Sequence, residues 1–228
     1  MNETIQRQVA RMDVDRLRAY RENLDFYRGL QWPGVARRGE RRLTFNYARV
    51  LVEKLASYLV SGLSFALEPV EPGEEAEARA REASLAVRRV YEENRLEELD
   101  SDTELDAAVL GDGCYKVTWD AQEERVRVTA PDVQGLYAWW VADDPSRVWR
   151  VASRYRLSAD EADALYGVRP PQRKAEATVL EVWTAEQLQL WVEESLAEER
   201  PNPYGFIPFV IFPKMRCSGD CSRRPPTI

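Results

Sequence analysis

Apolar residues in the first thirty positions keep a helical beat. Ile5, Val9, Met12, Tyr20, Leu24 and Tyr27 recur every three or four residues, or close multiples of that, among many charges. That spacing predicts an amphipathic helix over residues 4–30 with one packed stripe, ended by Trp32-Pro33-Gly34, because proline cannot donate to the helical ladder and glycine permits a turn. A second helix is predicted over residues 47–61, carrying Val50, Leu51, Leu55, Tyr58 and Leu59, with Asn46 at its N-cap and Gly62 closing it. Its apolar surface is broad, so it is expected to be buried. Residues 63–68 read as a short strand before a turn at 69–73. Residues 74–94 are rich in Ala, Glu and Arg and strongly helix-forming, with Glu74, Glu75 and Glu77 placed to favour the helix N-terminus. A further helix spans 96–110 after a break near Asn94.

The period changes at Gly111-Asp112-Gly113. Residues 114–119 and 125–129 alternate as strands around a turn at 120–124, a hairpin signal. Two more strands are expected at 136–141 and 147–157, parted by Asp143-Asp144-Pro145-Ser146. Ser158 stands three residues before Glu161, the spacing of a capping box, and opens a short helix that Gly167 ends. Residues 179–183 and 188–192 form a second hairpin across 184–187. A proline-bounded strand is expected over 206–213, with Pro208 confining it to an edge or entry position. Helices first and a β-rich remainder with one inserted helix make the expected fold class α+β. The last twelve residues, from Cys217 to Ile228, lack periodicity and read as a disordered tail or as sequence foreign to the fold.

Composition narrows the function. The chain has 228 residues, 44% hydrophobic and 31% charged, with a net charge of −7, which suits a folded protein and argues against general affinity for nucleic acid. Arg37, Arg38, Arg41 and Arg42 are the best candidates for a local basic patch; a solvated loop is the plainer account, a DNA or protein docking patch the sharper one. No stretch approaches the roughly 20 apolar residues a membrane span needs, and the first residues carry no signal-peptide core, so a cytoplasmic location is expected. Histidine is absent, which removes Ser-His-Asp and Cys-His nucleophile arrangements. Cys114, Cys217 and Cys221 fall short of the four ligands a structural zinc takes, and reduced thiols are expected.

Candidate chemistry is correspondingly thin. Asp112, Asp143 and Asp144 offer the hard oxygens that magnesium takes, so a metal-dependent nuclease is the enzymatic alternative. Asp143-Asp144-Pro145-Ser146 reads equally as a turn in which aspartate bonds its own backbone. Gly111-Asp112-Gly113 lacks the Lys-Ser or Lys-Thr pair of a phosphate loop and leads out of a helix rather than into one. Trp139, Trp140, Trp149, Trp183 and Trp191 fall in expected strands, where core or interface packing outweighs stacking on single-stranded nucleic acid. No catalytic, cofactor or metal residue is assigned.

Taken in order, several short motifs resemble the N-terminal part of tailed-bacteriophage portal proteins. They are the Tyr27 to Trp32 turn, the Arg37 to Tyr47 spacer and helix entry, Ser57 to Pro69, Leu105 to Asp120 with its Gly-Asp-Gly-x-Tyr-Lys-Val core, Leu165-Tyr166-Gly167, Glu181-Val182-Trp183-Thr184, and Asn202-Pro203-Tyr204-Gly205-Phe206-Ile207-Pro208. The resemblance covers about nine tenths of the chain. It implies a non-enzymatic ring subunit at one capsid vertex that nucleates head assembly, docks the terminase motor, meets scaffold, capsid and head-tail adaptor proteins, and conducts double-stranded DNA. Its site would be the host cytoplasm and then the virion. It also implies a wing region whose helical part is 1–110 and whose β-rich part is 111–215, with the helix 158–167 inserted and 216–228 as tail. The family's stem, clip and crown have no counterpart here, which implies a truncated portal, expected as a monomer where the full-length form makes a ring. A host-encoded adaptor reusing the wing fold is the remaining alternative.

Overall fold

The computed structural model describes residues 4–32, 34–59, 65–168 and 175–212. In chain order its elements are α1 (Ile5–Tyr27), α2 (Tyr47–Leu59), α3 (Glu74–Glu93), α4 (Leu96–Leu110), β1 (Gly113–Asp120), β2 (Arg125–Thr129), a 3-10 turn (Val133–Gly135), β3 (Leu136–Val141), β4 (Asp144–Ser158), α5 (Ala159–Tyr166), β5 (Glu176–Trp183), β6 (Gln187–Val192), β7 (Ser195–Pro201) and β8 (Phe209–Phe212). The fold is α+β. Two compact units divide it, one made of residues 1–21 and 131–228, the other of 22–130.

The first unit is built on a five-stranded antiparallel sheet in the order β3-β4-β5-β6-β7. Tyr137, Trp139, Ala152, Leu180 and Val182 share one face, where Ile5, Val9 and Met12 of α1 pack on them. Burying Val9 in that stripe contributes roughly 1.5–3 kcal/mol. The opposite face carries Ala177, Val179 and Val192 against Ala162 of α5, and Trp183, Leu188 and Leu190 against Tyr204, Ile207 and Phe209. Strand β5 accordingly carries apolar residues on both faces, Val179 and Trp183 on one and Leu180 and Val182 on the other, while β6 alternates, with Leu188, Leu190 and Val192 on one face and Gln187 and Gln189 on the other.

Helix α5 begins with the expected capping box. Ser158 Oγ accepts from Glu161 N at 3.2 Å, and Glu161 Oε2 accepts from Ser158 N at 2.8 Å. Gly167, at φ 64°, ends the helix. Residues 169–174, with Pro170 and Pro171, lie outside the described residues. Strand β7 is an element the sequence pattern does not predict. It is the edge of the sheet, and Glu198, Glu199 and Arg200 give it the charged character that protects an edge from unwanted pairing. The expected strand over 206–213 is shorter, Phe209–Phe212, because Asn202 first closes a turn. Its side-chain amide donates to Thr184 O at 2.7 Å and Phe206 O at 2.8 Å.

The second unit holds α2, α3, α4 and the β1–β2 hairpin, whose strands pair from Lys116↔Thr129 to Asp120↔Arg125. Asn94, at the end of α3, donates to Val126 O at 2.9 Å and accepts from Val128 N at 2.8 Å. One side-chain amide thus bonds β2 on both its polar atoms, and the hairpin groups with the helices rather than beginning a separate β part at residue 111.

Three expectations change here. Helix α1 stops at Tyr27, not at Trp32-Pro33-Gly34: Leu30 N bonds Asp25 O at 2.7 Å and Gly29 N bonds Phe26 O at 3.0 Å, with Gly29 at φ 80°. That is a Schellman cap, which needs left-handed backbone where glycine has no penalty. Residues 65–68 form no strand; Leu67 N instead bonds Ser84 Oγ of α3 at 2.9 Å. Residues 60–64, including Gly62, lie outside the described set. Helix α2 has the expected Asn46 cap, Arg49 N to Asn46 Oδ1 at 3.1 Å, but none of its residues is buried.

Candidate functional site

Polar chemistry in the first unit gathers between α1 and the sheet. Asp13 accepts from Tyr137 Oη at 2.7 Å and from Arg154 Nη1 at 2.7 Å. Arg16, one helical turn along, lies over the Tyr137 ring at 4.4 Å and donates to three carbonyls around the 3-10 turn, those of Val133, Gln134 and Leu136. Burial, then the bond to Asp13, pushes the Tyr137 phenol above the usual tyrosine range. At neutral pH it therefore stays protonated and donates its proton to Asp13. The network pairs these polar groups, Arg16 Nε excepted, and fixes α1 against β3 and β4.

On the other sheet face Glu181 accepts from Tyr155 Oη at 3.1 Å and Trp183 Nε1 at 3.1 Å, and Tyr155 meets Tyr166 Oη of α5 at 2.9 Å. Burial foremost, with the Glu181 charge second, pushes the Tyr155 phenol far up. This arrangement also ties elements together.

In the second unit Asp100 accepts from Tyr91 Oη at 3.0 Å and Tyr115 Oη at 2.6 Å, joining α3, α4 and β1. Glu104, one turn further along α4, has its carboxyl raised by burial and then by the Asp100 charge. The Tyr115 phenol is pushed up to about 12, first by burial. Cys114 beside it is buried and free, and burial pushes its thiol up to about 12. A thiol so held is not a nucleophile at neutral pH. Cys217 and Cys221 lie outside the described residues.

The sequence candidates fall as follows. Asp144 Oδ1 accepts from Ser146 N at 3.0 Å and Ser146 Oγ at 2.6 Å, the self-bonded aspartate of a turn, although the two-residue hairpin loop itself is Ala142-Asp143, one residue earlier than the sequence suggests. Asp143 is in that loop, and Asp112 belongs to the second unit, just after α4. Among the described residues no group of three or more Cys, Asp or Glu is placed to hold a metal. Arg42 is a loop organiser: it bonds Glu40 Oε1 at 2.8 Å, Gly34 O at 2.8 Å and Val35 O at 3.1 Å. Arg37, Arg38 and Arg41 are exposed around it. Trp139 and Trp183 are core residues, Trp191 packs on the core, and Trp149 stands 40% exposed.

What the sequence pattern leaves unseen is the polar layer under α1. A signal exists for it: Asp13 and Arg16 share the helical face of Val9, Met12 and Tyr20, and charges on an apolar stripe need partners when that stripe is buried.

One surface stands out in the second unit. Leu51 is 61% exposed, Tyr58 66% and Val50 64% along α2, and the segment leading into α2 leaves Trp32, Leu43, Phe45 and Tyr47 outward as well. Phe45 and Tyr47 stack at 6.3 Å, and Trp32 Nε1 donates to Thr44 Oγ1 at 3.1 Å, so the segment has internal order. No described helix is long and apolar enough to cross a membrane. Compared with known protein families and with curated proteins, the chain matches none of them.

Proposed function

We propose that this chain is a subunit of a tailed-bacteriophage portal ring, an architectural part acting through contacts with copies of itself and with other head proteins. The ordered motifs from Tyr27 to Pro208 supply the family reading. The observation that carries the architectural role is the exposed apolar surface of α2 and its leading segment. Contiguous apolar and aromatic exposure of this kind characterises protein interfaces, where such side chains gain the burial they lack in the isolated chain.

The motif residues that have counterparts here do conformational work. Gly29 caps α1, Asn46 caps α2, Gly111 ends α4 at φ 94°, Gly167 ends α5 and Asn202 closes the turn before β8. Each is a turn or packing device rather than a proton carrier. An acidic protein also suits a passage for DNA, since a polyanion meeting few cations slides without sticking.

Sedimentation velocity at a series of concentrations tests this reading. The family resemblance taken alone implies a monomer for a chain without stem and clip, but the exposed apolar surface of α2 implies self-association instead, so association that strengthens with concentration and is lost in the Leu51→Glu/Leu55→Glu double variant is expected. Magnesium-dependent cleavage of plasmid DNA, abolished by alanine at Asp112, Asp143 or Asp144, would replace it with the nuclease.

A further inference from the structure

A cavity of about 150 Å³ opens on the first unit, lined by Ile5 of α1, Trp149 and Arg150 of β4, Thr184 after β5, and Gln187 and Gln189 of β6. Its position follows from an irregularity in the β3–β4 pairing. Trp139 pairs with Arg150 and Trp140 with Val148, so Trp149 is the extra residue of a bulge. A bulge re-aims a side chain that regular alternation would send to the opposite face, and here consecutive residues, Trp149 and Arg150, line one cavity.

Arg150 is the unusual occupant. Its guanidinium lies 4.0 Å from the Trp139 ring centre and 4.7 Å from that of Trp149, between two indoles. Nη2 donates to Gln8 Oε1 at 2.5 Å, while Nε is buried with no partner. Among the described residues no carboxylate pairs with it. Its neighbour on the same face, Arg154, is answered by Asp13 at 2.7 Å, as is Arg16 at 3.6 Å. Glu199 of β7, the strand partner of the lining residue Gln189, is held by Gln189 Nε2 at 2.8 Å. Burial lowers the Arg150 pKa with no acidic charge opposing it. A half-buried cation without a counter-charge is costly, and cation–π contacts offset only part of that cost.

We infer that this cavity is a binding site for a single carboxylate group, with Arg150 as its counter-charge, the Trp149 face as one wall and the Gln187 amide at the rim. The cavity is well below the roughly 300–1,000 Å³ of a drug-sized pocket, which limits the ligand to one small acidic group. A planar carboxylate matches both the flat indole wall and the guanidinium fork. The group would come from an acidic side chain of a polypeptide or from a small organic acid. The site is built wholly from the first unit and does not depend on the ring role.

The test follows the Trp149 indole N–H in ¹H–¹⁵N spectra while sodium acetate is added, with sodium chloride, acetamide and inorganic phosphate as matched comparisons. A saturable shift with acetate, absent with chloride and acetamide and weaker with phosphate, is expected. Arg150→Gln should weaken it at least about tenfold, the cost of losing a charged hydrogen-bond partner. The peptide acetyl-Ala-Glu-Ala-amide separates the sources: tighter binding than acetate points to a polypeptide side chain, equal binding to a free acid, and both retain the carboxylate site. A response that never saturates, is matched by acetamide or phosphate, or survives Arg150→Gln overturns it. Should that variant fail to fold, Gln187→Glu at the exposed rim supplies an internal carboxylate and should abolish the acetate response; an unchanged response there overturns the site equally.

Discussion

Single residues in this chain do their work by fitting, and Gly135 shows how tightly. A Cβ built on it would stand 2.1 Å from Arg154 O, a backbone atom that cannot swing away. Gly135→Ala is therefore expected to cost roughly 2 kcal/mol or more, in the range of overpacked cores, read as a lowered urea midpoint. Wild-type stability in that variant would mean the 3-10 turn and β4 are not packed as described. Cys114 gives a second test. With its thiol raised from 9.0 to about 12 by burial, folded protein at pH 8 should alkylate at Cys114 orders of magnitude more slowly than unfolded protein, as peptide mapping would show. The folded state holds this proton more tightly than the unfolded one, so its contribution to stability is complete below about pH 9 and is lost as pH rises toward about 12. Labelling at equal rates in native buffer and in urea would contradict the burial. At this scale the sequence was partly legible. The turn role of Asp144, and the caps at Asn46 and Ser158, could be read because each bonds its own neighbourhood. Asp13, Arg16 and Arg154 could not, since their partners lie more than a hundred residues away in the chain or across the sheet.

Among the elements, those with local instructions were the readable ones. The five helices and the hairpin strands announce themselves by period, caps and turn residues. Ser158→Ala, which removes one half of the capping box, should cost about 1 kcal/mol, and amides of α5 should lose hydrogen-exchange protection before those of β5; no change in either would deny the cap its role. Strand β7 was hidden because an edge strand can be as charged as a loop. The end of α1 was misplaced because Gly29 works through backbone conformation rather than through an obvious break such as proline. Helix α2 departs from its pattern in the opposite sense. Its apolar width signals burial, yet the isolated chain leaves Leu51 and Leu55 in water. Sequence records what a surface is suited to, and it does not say whether the same chain or another one covers it. Replacing Leu51 and Leu55 by glutamate should thus shift the melting temperature little, since surface substitutions usually stay within about 0.5 kcal/mol, while removing self-association.

At the scale of the whole molecule the half-buried carboxylates that gather tyrosine hydroxyls, Asp13 and Glu181 in one unit and Asp100 in the other, are spent on joining elements. The side chains left facing outward with most to gain are apolar, on α2 and the segment before it. A subunit whose unfinished business is burial, and not proton transfer, is what the architectural reading requires. The decisive measurement is native mass spectrometry of the purified chain across a concentration series. The account predicts a closed assembly with one fixed copy number, dispersed to single chains by the Leu51→Glu/Leu55→Glu variant. A one-copy mass at every concentration the protein tolerates, the same for wild type and variant, would contradict it.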